Sequence, residues 1–114
     1  MDFEGKNVFV TGAGGYIGSF TAKEFASRGA KVTVFDQNAA GVKKTVDEIH
    51  AAGGTAIGVT GDVTSSVSVD EAVKSAVERM GGLDIMVHAA GGSAHYDRAG
   101  PRRTDYSVFL RYRL

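Results

Sequence analysis

One stretch of this 114-residue sequence predicts how the chain folds: Thr11-Gly12-Ala13-Gly14-Gly15-Tyr16-Ile17-Gly18. A β-rich run, Asn7 to Val10, precedes it, and a helical pattern from Tyr16 to Arg28 follows it. Gly12, Gly15 and Gly18 stand at regular intervals, and a backbone without Cβ atoms lets a phosphate approach main-chain N–H groups at the start of a helix. The stretch therefore predicts a strand, a glycine-rich turn and a helix that together bind a phosphate-bearing ligand.

The same alternation of strand and helix continues along the chain as far as residue 91. Strand patterns cover Lys31 to Phe35, Thr55 to Thr60 and Leu83 to Val87. One helix follows Asn38, which can cap it, and another opens at the capping-box sequence Ser68-Val69-Asp70-Glu71. Parallel strands need helical crossovers, and these are right-handed. The pattern therefore predicts a doubly wound parallel α/β sheet of the Rossmann type, with strand order 3-2-1-4.

An acidic residue, Asp36, closes the second strand, 18 residues beyond Gly18. A carboxylate at this place accepts hydrogen bonds from both ribose hydroxyls of an adenosine and repels a 2′-phosphate. Neither Ala13 nor Gln37 offers a cation that would neutralise such a phosphate. We therefore expect an adenine dinucleotide as the partner, and NAD rather than NADP as the cofactor. The alternative is a structural turn that binds no ligand.

The composition excludes several other classes of protein. The 13 basic and 13 acidic residues leave no net charge, so nothing in the balance favours nucleic acid or an anionic membrane as a partner. The chain has no cysteine, which excludes disulfides and thiolate metal sites and fits a reducing, cytoplasmic location. No apolar run approaches the ~20 residues of a membrane span. The three histidines have no metal-ligand spacing, so we expect no metal.

The chain is predicted to have two parts: a dinucleotide-binding Rossmann domain at residues 1–91 and a C-terminal extension at residues 92–114. The extension reads as a loop followed by a short strand or helix, because the run Val108 to Tyr112 fits either periodicity. Strand four forms an edge of the predicted sheet, and an unpaired apolar edge tends to pair with another strand. We expect Val108 to Tyr112 to cover it, in the same subunit or in a neighbour's, and the chain to form a homodimer or larger homo-oligomer.

Residues 5–91 resemble the short-chain dehydrogenase/reductase family in four landmarks that occur in the family's order. These are the Thr-Gly opening of the glycine turn, the acidic end of strand two, the pair Asp62-Val63, and His88-Ala89-Ala90-Gly91 in place of an Asn-Asn-Ala-Gly motif. The glycine spacing is similar to that of extended members such as nucleotide-sugar epimerases, since commoner members have glycine where Tyr16 stands. The resemblance implies oxidoreductase activity with NAD, and a set of cofactor-binding residues: Gly12, Gly14, Gly15, Tyr16, Ile17, Gly18, Asp36, Asp62, Val63, Ala89, Ala90 and Gly91.

The catalytic residues of that family are not recognisable in this sequence. The family uses a serine, a Tyr-x-x-x-Lys pair and an asparagine, and no Tyr-x-x-x-Lys occurs here. We expect the chain to stop before the half that holds these residues, and its substrate is unknown. Ser93, His95 and Tyr96 are the candidates that remain. Two alternatives stay open: a non-catalytic NAD-binding module, and a small hydrolase that uses Ser93 and His95.

Overall fold

Helices and strands alternate along the first part of the chain, as the periodicity predicts. The computed structural model describes residues 2–89, 96–97, 100–101 and 108–112. Their elements are β1 (Asn7–Thr11), α1 (Tyr16–Ser27), β2 (Lys31–Asp36), α2 (Ala39–Ala51), β3 (Thr55–Thr60), α3 (Ser66–Met80), β4 (Ile85–Ala89), β5 (Tyr96–Asp97), β6 (Gly100–Pro101) and β7 (Val108–Tyr112).

The main sheet has the order β3-β2-β1-β4-β7. Its first four strands are parallel, which confirms the predicted 3-2-1-4 order of a doubly wound fold. The fifth, β7, runs antiparallel to β4, with Val87 opposite Leu110. Of the two predicted alternatives for this segment the structure therefore has the strand, and it lies on the β4 edge of the same chain. A second, two-stranded sheet pairs β5 with β6.

Both faces of the parallel sheet are buried, because α1 and α2 cover one face and α3 covers the other. On the first face the valines of β1 and β2 pack against Ala22, Val42 and Ile49. On the second face Phe9 and Phe35 pack together, with ring centroids 5.5 Å apart, under the alanines of α3. Burying each such side chain contributes about 1.5–3 kcal/mol. This packing fixes the carboxyl ends of β1, β2, β3 and β4 at one edge of the sheet.

The predicted starts of α3 and β4 are wrong, and a side-chain hydrogen bond lies at each of the two positions. The capping box at Ser68 does not open α3, because the N-cap is Ser65, whose Oγ accepts the Ser68 N–H at 3.2 Å. The Ser68 hydroxyl instead accepts the Asp62 N–H at 2.9 Å. Strand four begins at Ile85 rather than at Leu83, since the Asp84 carboxylate binds the Asn7 N–H at 2.8 Å just before the strand.

Candidate cofactor-binding site

The glycine-rich turn lies at the carboxyl end of β1, against the end of β4. Gly12 has φ +69°, in the left-handed region that favours glycine, and a Cβ there would strike the Ala89 carbonyl oxygen. A Cβ at Gly18 would strike the Gly12 carbonyl oxygen. Both positions therefore need glycine for packing, and they bring the predicted cofactor residues Gly12, Gly18 and Ala89 together.

The first turn of α1 is open to an anion. Its N-cap is Gly15, which has no side chain to accept the exposed N–H groups, and no acidic residue lies in the first turn. In the glycine-rich turn before α1, the Gly15 N–H donates to the Gly12 carbonyl at 3.0 Å. Unpaired N–H groups and the positive end of the helix dipole favour a phosphate at this place, where Tyr16 and Ile17 begin the helix.

Asp36 lies at the end of β2 and is bound directly to the glycine turn. Its Oδ2 accepts the Gly14 N–H at 3.1 Å, and its Oδ1 accepts the Asn38 N–H at 2.9 Å. A Cβ at Gly14 would lie 3.0 Å from the Asp36 Cβ, so a side chain there would push the carboxylate away. Each carboxylate oxygen can accept a further hydrogen bond, which leaves capacity for two ribose hydroxyls.

Helix α2 holds the back of the turn through contacts that the sequence analysis did not find. The Thr45 hydroxyl donates to the Ala13 carbonyl at 2.9 Å, and Thr45 is only 2% exposed. A Cβ at Gly41 would lie 2.6 Å from the Gly14 carbonyl oxygen, so α2 packs directly on the turn. Thr45 lies in the apolar stripe of α2. A hydroxyl at such a position needs a buried hydrogen-bond partner, and this was the feature of the sequence that could have indicated the contact.

Asp62 and Val63 lie in the loop after β3, next to the end of β2. The Gly61 N–H donates to the Asp36 carbonyl at 3.0 Å and joins the two loops. Hydrogen bonds from the Thr64 hydroxyl, at 2.7 Å, and the Thr64 N–H, at 2.9 Å, lower the pKa of Asp62, so its carboxylate stays charged. Val63 is 48% exposed beside it. This loop therefore offers an apolar surface and an acceptor beside the end of β2.

The end of β4 lies beside the glycine-rich turn and forms another side of the site. His88 lies opposite Thr11 in the sheet, and its Nδ1 is 3.2 Å from the Thr11 hydroxyl. Ala90 and Gly91, predicted to contact the cofactor, lie outside the described residues, as do Ser93, His95 and the side chain of Tyr96. Within the described ranges no three acidic or histidine side chains are grouped for a metal ion. No helix among those residues is long and apolar enough to span a membrane.

The arrangement joins an anion-binding helix start, a carboxylate at the end of β2 and an apolar loop at one sheet edge. Such a crevice accommodates a pyrophosphate, a ribose and an adenine in that order. A family model described as "short chain dehydrogenase" matches residues 6–106. The chain belongs to the short-chain dehydrogenase family.

Several proteins of known name or structure are similar to this short-chain dehydrogenase chain. An uncharacterized oxidoreductase of Thermotoga maritima is 45% identical over 91 residues, which are 80% of this chain and 36% of that protein. Hydroxysteroid dehydrogenase from Escherichia coli has a crystal structure with a TM-score of 0.76 and 37% identity, over 84% of this chain and 41% of that one. For 3-ketoacyl-(acyl-carrier-protein) reductase from Brucella melitensis, crystallised with NADH, the TM-score is 0.68 at 39% identity, over 75% and 34% of the two chains.

The match covers only part of each relative. The chain spans 32%, 36% and 35% of the length of three curated relatives that it matches. The similar proteins are oxidoreductases, and one of them was crystallised with NADH. Membership of the short-chain dehydrogenases does not favour either alternative, the hydrolase at Ser93 and His95 or the non-catalytic module. The family's usual glycine is replaced by Tyr16, which is the first residue of α1.

Proposed function

We propose that this chain is the cofactor-binding part of a short-chain dehydrogenase that uses NAD(H) in preference to NADP(H). The observation that carries the proposal is the Asp36 carboxylate, held at the end of β2 by the N–H groups of Gly14 and Asn38. A fixed negative charge at this point accepts ribose hydroxyls and repels a 2′-phosphate. The similar reductase from Brucella melitensis, which was crystallised with NADH, supports the same choice.

The residues of this chain bind and orient the cofactor, and the bound nicotinamide supplies the hydride chemistry. The first turn of α1 would hold the pyrophosphate, Asp36 the adenosine ribose, and the loop of Asp62 and Val63 the adenine. No Tyr-x-x-x-Lys pair occurs in these 114 residues. General acid–base catalysis contributes about 10²–10⁴-fold. We therefore propose that this chain by itself transfers hydride slowly.

Calorimetric titration with NADH and NADPH tests the cofactor preference. A charge-assisted hydrogen bond contributes about 1.5–3 kcal/mol, so NADH should bind roughly 10- to 150-fold more tightly than NADPH. Asp36→Asn keeps the shape of the side chain and removes its charge, and it should reduce that ratio. Asp47→Asn is the matched control, because Asp47 is an exposed acid on α2 that pairs with Lys43.

Equal binding of the two cofactors, or tighter binding of NADPH, would overturn the proposed preference. The preference would also be overturned if Asp36→Asn kept the wild-type ratio of NADH to NADPH affinity, as the control Asp47→Asn is expected to do. Circular dichroism of each variant establishes that the fold is intact before the affinities are compared. Binding of neither cofactor to the folded protein would contradict the dinucleotide site itself.

Location and assembly are part of the same proposal. The absence of cysteine supports the reducing environment of the cytoplasm. A homo-oligomer stays our prediction, although β7 of the same chain already pairs with the β4 edge on which that prediction was based. Light scattering on the purified chain measures the assembly state directly, and a monomer at all concentrations would refute it.

A further inference from the structure

A groove between α1 and α2 runs down the outer face of the molecule. Its half-open cavity has a volume of about 600 Å³, within the ~300–1,000 Å³ of small-molecule sites. Gly14 and Gly15 form its upper end, so it begins behind the cofactor turn and leads away from the sheet edge. Tyr16 and Ile17, which were predicted to bind the cofactor, also line the groove. The contacts proposed for NAD at the start of α1 use backbone N–H groups, so they leave the Tyr16 ring free to contact a ligand in the groove.

The α1 wall of the groove carries two exposed aromatic rings. Tyr16 is 88% exposed and Phe20 is 67% exposed, and both line the cavity. Residues four positions apart lie on the same face of a helix, so both rings lie on the side of α1 that faces the groove. Aromatic rings bind flat partners by stacking, which contributes about 0.5–1.5 kcal/mol beyond area burial. A wall of this kind favours a ligand that contains an aromatic ring.

The charges around the groove leave one cation available. Lys23 on α1 and Glu48 on α2 pair at 3.2 Å across the groove and neutralise each other. Lys44 also lines the cavity, and the described residues hold no carboxylate at ion-pair distance from it. Its neighbour Lys43 is engaged with Asp47 at 2.7 Å and lies outside this cavity. The groove therefore has a net positive charge at Lys44.

We propose that this groove binds a small aromatic anion. The ring lies against Tyr16 and Phe20, and the acidic group pairs with Lys44. Shape, aromatic wall and charge point to the same class of ligand, namely aromatic carboxylates, sulfonates or phosphates. The proposal does not depend on NAD binding, because the groups that would hold NAD are the Asp36 carboxylate and the backbone N–H groups of the first turn of α1, whereas the groove would hold its ligand through the side chains of Tyr16, Phe20 and Lys44.

The test uses the aromatic anion 8-anilinonaphthalene-1-sulfonate, whose fluorescence rises in apolar surroundings. Its affinity is measured for the wild-type chain and for Lys44→Met, with Lys43→Met as the matched control. A partly exposed ion pair is worth about 0.2–1 kcal/mol, so Lys44→Met should weaken binding up to about fivefold. Phe20→Ala should weaken it about two- to tenfold. Because both side chains are exposed or half-exposed, these variants are expected to fold, and circular dichroism checks it.

A neutral probe and the oxidised cofactor complete the experiment. N-phenyl-1-naphthylamine, which lacks the sulfonate, should bind wild type and Lys44→Met equally but should bind Phe20→Ala more weakly. Saturating NAD should leave the anionic probe bound, whereas its full displacement would place the probe in the cofactor crevice and overturn the proposal. Equal probe affinity of Lys44→Met and Lys43→Met, or wild-type affinity of Phe20→Ala, would also overturn it.

Discussion

Replacing Thr45 by valine tests how the glycine-rich turn is held in place. The change keeps the shape of the side chain and removes the hydroxyl that donates to the Ala13 carbonyl at 2.9 Å. Thr45 is 2% exposed, so water does not readily take over this hydrogen bond. A buried acceptor that loses its donor costs about 1–3 kcal/mol. For a domain of this size each kcal/mol corresponds to about 4–8 °C, so the melting temperature should fall by roughly 4–24 °C.

Thermal and urea unfolding followed by circular dichroism measure the loss, and Thr45→Ser provides the control. Serine keeps the hydroxyl and removes one buried methyl group, which costs about 0.8 kcal/mol. The valine variant should therefore be the less stable of the two, and its NADH affinity should fall more, because Ala13 lies within the turn. A valine variant as stable as wild type, with unchanged NADH affinity, would refute the view that α2 holds the turn through Thr45.

Three further changes test other parts of the fold. Gly18→Ala places a Cβ against the backbone of the turn, so urea unfolding should show a loss of about 1–3 kcal/mol, and unchanged stability would contradict the close packing. The pKa of the Asp62 carboxyl, measured by NMR titration, should lie below its usual ~3.9, and in Thr64→Ala it should rise toward that value. The stability that the charged carboxylate contributes is fully present above pH ~3.9 and is lost as the pH falls through the lowered pKa. Val87→Cys with Leu110→Cys, in a chain without native cysteine, should give a disulfide within one chain, while a disulfide-linked dimer would show that β7 pairs with another copy.

The order of the parallel strands and the place of the glycine-rich turn were predictable from the sequence. Their signals are local, because a strand, a turn that needs glycine and an amphipathic helix each depend on neighbouring residues. The position of Asp36 beside the glycine-rich turn was also predictable, because strand two ends next to strand one in a right-handed unit. The sequence also excluded disulfides, through the absence of cysteine.

Other features depend on residues that are distant in the sequence. Thr45 is 32 positions from its partner Ala13, and Thr11 is 77 from His88, so no local pattern contains either contact. The N-cap of α3 is Ser65 rather than Ser68 because the Ser68 hydroxyl accepts the Asp62 N–H of the preceding loop. The strand at Val108 to Tyr112 was ambiguous because a short run fits two periodicities, and the open backbone groups of β4 decided between them. Tertiary structure determined these features because a hydrogen-bonding group takes the partner that packing brings to it, whatever the distance along the chain.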